Sequence, residues 1–337
     1  MISEFEVMKP YIVAEVSANH AGSFDRCLRI IDAAKYAGAD AVKLQTFNPD
    51  TMVADRNYMI PDGPWAGRLL WDLYQQAMTP LEWHADIFEY CKAVGITCFS
   101  TPFDETAVDI LELLYCPMYK IASFELTDLP LLRKVAKTGK PMILSTGMAA
   151  KDEIQEAVYT IRTTSESQIT LLKCTSAYPA KPEDANLATL PDMAKEMLVD
   201  VGVSDHTLGL AVPISSVVLG GTFIEKHLTL DDLPTLDSAF SLKPDEFRMM
   251  VAAVRNAAKA VGTVQYGKQA SESSSYAFRR SVYAVADIRK GEALTENNVK
   301  TRRPALGAPA KHYPELLKRT AAIDIKAGMP ITWDSVE

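Results

Sequence analysis

The sequence predicts an α/β fold, a (β/α)8 barrel of the TIM type followed by a small β-rich C-terminal module. Three observations carry this. A short β-branched apolar run followed by an amphipathic helical stretch recurs eight times from Tyr11 to about Gly262, and roughly 250 residues is the usual size of such a barrel. The runs end in polar residues, where a barrel carries its chemistry. Past Gly262 the spacing shortens to strands and turns. A doubly wound open sheet is the rival, but neither G-x-G-x-x-G nor G-x-x-x-x-G-K-[ST] follows the first strand.

The first run is Tyr11-Ile-Val-Ala-Glu-Val-Ser. Ser23 or Asp25 can start the helix behind it, which carries Leu28, Ile31 and Ala34 at helical spacing, and Gly38 ends it. Ala41-Val-Lys-Leu-Gln-Thr-Phe is the second run, Thr97-Cys-Phe-Ser-Thr-Pro-Phe the third and Met118-Tyr-Lys-Ile-Ala-Ser-Phe the fourth. Pro141-Met-Ile-Leu-Ser-Thr-Gly, Ile169-Thr-Leu-Leu-Lys-Cys-Thr, Val199-Asp-Val-Gly-Val-Ser-Asp and Thr222-Phe-Ile-Glu-Lys-His-Leu complete the set. Two segments break the rhythm. Residues 48–79 are too long for a simple connection and hold a helix around residues 69–78, which marks a lid over the active face. Residues 231–242 form a second long loop, carrying Asp237. We therefore expect a catalytic domain over 1–262, a polar linker over 263–278 centred on Lys-Gln-Ala-Ser-Glu-Ser-Ser-Ser, and a β-rich domain over 279–337. Strand-like runs at Ser281-Val-Tyr-Ala-Val, Arg302-Arg-Pro and Ala321-Ala-Ile-Asp-Ile, with turns at Lys290-Gly291 and Ala327-Gly328, describe that last domain. At about 60 residues it is near the lower limit for folding alone, so it is expected to dock on something.

Composition narrows the function. The 337 residues are 48% hydrophobic and 23% charged, ordinary for a globular chain. A formal net charge of −8 argues against a nucleic-acid partner, which needs clustered Lys and Arg. No apolar run approaches the length of a membrane helix, and the acidic start Met1-Ile-Ser-Glu-Phe-Glu lacks signal-peptide character, so no membrane partner and a cytoplasmic location are expected. Five cysteines without a C-x-x-C pair read as buried small hydrophobes in a reducing compartment.

The strand ends carry Glu15, Lys43, Gln45, Thr101, Lys120, Ser123, Ser145, Thr175, Ser176, Ser204, Asp205, His206, Glu225, Lys226 and His227. Strand alternation puts Lys43 with Gln45, Ser204 with His206, and Glu225 with His227 on common sides. The last two pairs lie on neighbouring strands, so His206 and His227 can converge on a divalent first-row metal with open positions. Two hydrogen-bonded core histidines are the competing reading. Lys43 and Lys120 with Thr101, Ser123 and Ser204 make a basic, hydroxyl-lined pocket for a phosphate or carboxylate. A Schiff-base lysine and a structural ion pair with Glu15 or Glu225 remain open beside it. Trp65, Trp71 and Trp83 are expected to pack the lid, and His84 to lie solvated on an outer helix. Either role is open for His20, and Asp231-Asp232 reads as a solvated loop.

Several motifs in register resemble sialic acid synthases: Ala14-Glu-Val-Ser-Ala-Asn-His-Ala-Gly, Gly38-Ala-Asp-Ala-Val-Lys-Leu-Gln-Thr-Phe, Ser100-Thr-Pro-Phe-Asp, Ser145-Thr-Gly-Met, Ser204-Asp-His-Thr-Leu-Gly and Ile224-Glu-Lys-His-Leu-Thr-Leu-Asp. The C-terminal module resembles the family's antifreeze-like (SAF) domain. Leu70-Trp-Asp-Leu-Tyr, Thr79-Pro-Leu-Glu-Trp-His, Ala122-Ser-Phe-Glu-Leu-Thr-Asp and Asp237-Ser-Ala-Phe-Ser-Leu are similar to the pseudaminic acid branch. The resemblance implies condensation of phosphoenolpyruvate with an aldehyde-form amino sugar to a nine-carbon 2-keto acid and phosphate, with Mn2+ or Mg2+. It implies metal ligands at His206 and His227 and phosphoenolpyruvate contacts at Lys43, Thr101, Lys120, Ser123, Ser176 and Ser204. Sugar contacts would fall on Glu15, Gln45, Tyr178 and Asp237, with Glu15 or Glu225 managing protons. It further implies a domain-swapped homodimer in which Arg303 of the SAF domain reaches the other copy's site. Here the family's Arg-Pro-Gly-Asn-Gly is replaced by Arg-Pro-Ala-Leu-Gly. A Schiff-base aldolase, a synthase for N-acetylneuraminate or legionaminate, and a non-catalytic sugar-phosphate binder are the alternatives.

Overall fold

The computed structural model describes residues 9–231 and 233–337; the acidic start at Met1–Glu6 and Asp232 of the second long loop lie outside the described residues. The chain divides into two compact units, Met1–Gly262 and Thr263–Glu337.

The first unit is a closed barrel of eight parallel strands in sequence order: β1 (Tyr11–Glu15), β2 (Ala41–Thr46), β3 (Thr97–Pro102), β4 (Tyr119–Ile121), β5 (Met142–Ser145), β6 (Ile169–Cys174), β7 (Asp200–Asp205) and β8 (Phe223–His227). Closure is made by β8 pairing with β1, Glu15 opposite His227. Each strand is followed by a helix, beginning with Phe24–Ala37, which Ser23 caps by accepting from Arg26 N and Gly38 ends in the left-handed region. Strand alternation sorts the core into two layers. Ile12, Val42, Leu44, Ile121, Leu144 and Ile224 face the helices and are fully buried, while their neighbours in sequence face the barrel axis.

The axis tightens at Gly202, which pairs with Phe223. A Cβ there would sit 2.0 Å from the Phe223 carbonyl oxygen, so only glycine lets β7 approach β8 this closely.

The lid holds a short helix Pro49–Met52 and a longer one, Leu70–Ala77. His84 opens the helix His84–Val94 but is fully buried rather than solvated. Its Nε2 lies 2.8 Å from Thr46 Oγ1, which is 2.6 Å from Ser100 Oγ, so it ties the helix to β2 and β3. His20 is also buried: Gly22 N donates to its Nδ1 at 3.0 Å, and its ring meets Trp83 edge-on. Burial pulls its pKa down to about 4. Asp231 is half-exposed and pairs with the buried Arg26 at 3.0 Å. All five cysteines are buried and unpaired in disulfides. Among the described residues, no helix is long and apolar enough to cross a membrane.

In the second unit, β9 (Ser281–Ala284) pairs antiparallel with β10 (Val299–Arg302) over a small core of Val282, Ile288, Leu294, Val299, Leu316 and Ile331. The run at 321–325, expected as a strand, contributes only isolated bridges, Ile288 to Ile325 and Ala321 to Val336. Short helices Ala270–Glu272 and Ser273–Tyr276 occupy the polar stretch expected as linker.

Two measurements check these packing arguments. Gly202→Ala is expected to cost on the order of 3 kcal/mol by overpacking, read as a fall of several degrees in the thermal midpoint; an unchanged midpoint contradicts the close approach. An unfolded chain takes up a proton on His20 near pH 6.5, whereas the native ring resists until about pH 4. Stability present above pH 6.5 is therefore lost as pH falls through that window, by on the order of 3 kcal/mol for this group. His20→Asn should show a shallower acid-side decline than the wild type, and parallel curves would refute the assignment.

Candidate active site

The polar strand ends meet at the carboxyl-terminal mouth of the barrel. Glu15, Lys43, Gln45, Thr101, Lys120, Ser123, Tyr178, Ser204, His206, Glu225, His227 and Asp237 all line one cavity of about 350 Å3. Ser176 and Arg303 are outside its lining. Ser176 stands just behind it, where a Cβ at Gly147 would fall 2.3 Å from Ser176 Oγ and 2.7 Å from Ser123 Oγ. Arg303 belongs to the second unit, exposed just beyond β10.

The floor is a buried charge cluster. Lys43 Nζ lies 2.6 Å from Glu15 Oε2 and 3.7 Å from Glu225 Oε1, and it donates to Thr101 Oγ1 at 3.0 Å. Lys120 Nζ donates to Ser145 Oγ at 2.6 Å and lies 3.9 Å from Glu225 Oε1. Ser204 Oγ donates to the same Glu225 oxygen, and Gln45 Nε2 donates to Glu15 Oε1. The pocket read first from the sequence as basic is thus charge-balanced: each lysine faces a carboxylate because a lone buried charge is too costly. This is the ion-pair reading that the sequence left open, and it coexists with ligand binding.

The environment separates the two carboxylates. Burial pushes the Glu15 carboxyl up to about 7, against the pull of Lys43 and with a further push from Glu225. Burial opposes ionisation of Glu225 too, but Lys120, Lys43 and the Ser204 hydroxyl outweigh it and hold that carboxyl below the usual range. Lys120 is lowered by burial, whereas Lys43 is raised because Glu15 and Glu225 overcome the burial cost. Asp237 is raised by burial although Ala18 N donates to its Oδ2 at 3.1 Å.

His206 and His227 face each other with ring centroids 5.4 Å apart. His206 Nδ1 lies 3.0 Å from the Thr175 carbonyl, which can only accept, so this nitrogen carries a proton. Burial opposes ionisation of the ring, but Cys174 and the Thr175 carbonyl outweigh it and raise its pKa above the ordinary value, so Nε2 is open to a metal in the neutral ring only. His227 Nδ1 is buried without a hydrogen-bond partner, its nearest carboxylate being Asp237 Oδ2 at 3.9 Å, and burial followed by the cationic neighbours keeps the ring neutral. Glu225 Oε2 is likewise buried and unpartnered. Among the described residues, no group of three or more His, Cys, Asp or Glu side chains is arranged to enclose an ion. The unpartnered His227 Nδ1 beside His206 offers two imidazole donors, a set that suits an open divalent site with its remaining positions left to water or ligand.

The upper wall is apolar, built by Phe47, Tyr58, Ile60, Trp65 and Phe103 with Phe240 of the second loop. The tryptophans do not form one lid cluster. Trp65 lines the cavity 5.7 Å from Tyr178, Trp71 donates to Asp50, and Trp83 packs on His20 and Phe24. Ser145 is a lining position not named as a binding candidate, and the strand face it shares with Ile143 is the signal that could have found it. Gly147 lies between Thr146 and Met148 in sequence, so its closeness to Ser123 and Ser176 is a tertiary contact. Phe240 and Trp65 had no such signal, because loop residues carry no periodicity.

Comparison with known proteins agrees with this geometry. The NeuB family model matches residues 30–266 and the SAF domain model residues 279–337. The chain is 44% identical over 334 residues to the pseudaminic acid synthase of Helicobacter pylori, covering 97% of this chain and 98% of that protein. It is 44% identical to the pseudaminic acid synthase of Campylobacter jejuni, covering 95% and 94%. Among solved structures, the N-acetylneuraminic acid synthetase of Leptospira borgpetersenii superposes with a TM-score of 0.73 at 30% identity, covering 80% of this chain and 90% of that one. A closed barrel with this mouth, a matching family model over most of its length and full-length relatives lead to one conclusion: the chain belongs to the NeuB family of sialic acid synthases and ends in a SAF domain.

Proposed function

We propose that this enzyme is a pseudaminic acid synthase, condensing phosphoenolpyruvate with 2,4-diacetamido-2,4,6-trideoxy-L-altropyranose to a nine-carbon acid and phosphate. The observation that carries the reading is full-length similarity at 44% identity to two enzymes of that name, joined to a cavity whose floor is polar and whose wall is apolar. A 6-deoxy, bis-acetamido sugar presents methyl groups to such a wall and hydroxyls to such a floor.

In this reading Lys43, Thr101, Lys120, Ser123, Ser176 and Ser204 hold the phosphate and carboxylate of phosphoenolpyruvate, and Gln45, Tyr178 and Asp237 orient the open-chain sugar. His206 and His227 hold Mn2+ or Mg2+, which when bound supplies Lewis-acid polarisation of the aldehyde oxygen. C3 of the enol attacks the aldehyde carbon, and positive charge develops at C2, where the ionised Glu225 stabilises it. Water adds at C2, and phosphate departs with cleavage of its C–O bond. Glu15, with its carboxyl near 7, is able to give or accept a proton at working pH. The floor is neutral when its two lysines and two carboxylates are all ionised, so a polyanionic substrate gains net attraction only from a protonated Glu15 or a bound cation. That electrostatic need supports the metal assignment. We place the enzyme in the cytoplasm as a domain-swapped homodimer, with Arg303 of one copy serving the sugar site of the other. A Schiff-base route would need Lys120, the lysine lowered by burial; failure of borohydride to trap an adduct with substrate excludes it.

Phosphate release measured with each acceptor in turn tests the substrate. The 2,4-diacetamido-2,4,6-trideoxy sugar should be preferred, and preference for N-acetylmannosamine would overturn the assignment in favour of a sialate synthase. Chelation should abolish turnover, with recovery on adding Mn2+ or Mg2+. Gly147→Ala should raise KM for phosphoenolpyruvate by about tenfold or more, the equivalent of about 1.4 kcal/mol, by crowding Ser123 and Ser176. An unchanged KM in a folded variant would show that this cradle does not hold the phosphate or carboxylate.

A further inference from the structure

Two charged strand-end residues are missing from the cavity wall. Asp205 and Lys226 immediately precede His206 and His227, so strand alternation turns them to the opposite face of β7 and β8. The register pairs them directly, Asp205 with Lys226. Lys226 Nζ lies 2.5 Å from Asp205 Oδ2 and donates at 2.5 Å to the Thr207 carbonyl. Asp205 Oδ1 accepts from both Thr207 N at 2.9 Å and Thr207 Oγ1 at 2.8 Å. Lys226 is 0% exposed and Asp205 3%.

The result is a loop tied on both sides of His206. The residue before it and the residue after it are joined to each other and to the residue before His227. Elsewhere the same face of these strands is apolar, with Val201, Val203 and Ile224 buried on it. A buried ion pair is seldom a better source of stability than apolar residues of the same volume, and its best-attested use is to fix register. Here a slip of one residue between β7 and β8 would separate Asp205 from Lys226 and at once turn one imidazole out of the mouth.

We propose that the Asp205–Lys226 pair is a positioning device that sets the separation and orientation of His206 and His227, so that both imidazoles reach one divalent cation. The pair touches neither substrate nor metal; it acts through the backbone of the two residues that follow it. Groups hydrogen-bonded directly to a metal ligand control affinity by about 10–100-fold, and a pair that sets both ligands through the backbone is held to the same scale here. This inference rests on the reading of His206 and His227 as ligands.

The test is Mn2+ affinity of the full-length protein without substrates, followed by electron paramagnetic resonance of free Mn2+, alongside the thermal midpoint. Lys226→Met and Asp205→Asn should each weaken Mn2+ by about 10–100-fold, and the double variant should lose no more than the worse single one. Affinity within twofold of wild type in folded variants overturns the proposal, even if the midpoint falls, because the pair would then only hold the sheet. Thr207→Val serves if those variants do not fold. It removes one donor to Asp205 and should weaken Mn2+ about threefold, and unchanged affinity there overturns the proposal as well. His206→Ala and His227→Ala separate the two failures: if both bind Mn2+ like wild type, the metal-site reading itself is wrong.

Discussion

The structure depends on bringing four charges out of water at the barrel mouth without leaving any of them alone. Lys43 between Glu15 and Glu225, with Lys120 beside them, is permissible only because each charge meets an opposite one at close range and hydroxyls take up further bonds. This requires strands from separate parts of the chain, 15 to 225, to end at the same height. Barrel closure provides it, since β1 pairs with both β2 and β8 and places Glu15 level with Lys43 on one side and His227 on the other. The close approach at Gly202 and the buried pair behind the histidines serve the same geometric end.

Within that cluster the carboxylates are made unequal by their surroundings. Glu225 is drawn down by both lysines and a serine hydroxyl; Glu15 is held mainly by Lys43, feels Lys120 least, and is pushed up by burial and by Glu225. One group is thereby kept ionised while the other is left near its titration point, the arrangement by which a single site offers both a fixed charge and an exchangeable proton.

Much of this was legible in the sequence, and the reason is periodicity. Eight β-branched runs with polar ends locate the strands to within three residues, and a period of two assigns Lys43 with Gln45 and Glu225 with His227 to the axis. What periodicity does not carry was misread or missed. His84 is an exception, misread from its polar type: it shares a helix face with the buried Ile87 and Cys91, at i+3 and i+7, and its contacts with Thr46 and Ser100 satisfy the ring there. Ion pairs of the lysines with Glu15 or Glu225 stood among the open readings, but those partners are about 30 to 180 residues away, so which pairs form is a property of the assembled mouth. Trp65 and Phe240 lie in irregular loops, where nothing in spacing says which way a side chain turns. The 321–325 run has strand composition, yet in so small a core it finds only single bridges.

The cavity draws its floor and its wall from different materials. The floor comes from strand ends, locked to one another by sheet hydrogen bonds, so a change there disturbs neighbours all round the barrel. The wall comes largely from two excursions of the chain, the long lid and the loop holding Phe240, which lie outside the eight-strand ladder. Mutation can therefore reshape what the enzyme accepts while the machinery that joins carbon to carbon stays intact, and the same barrel can pass from one sugar to another by rewriting its loops.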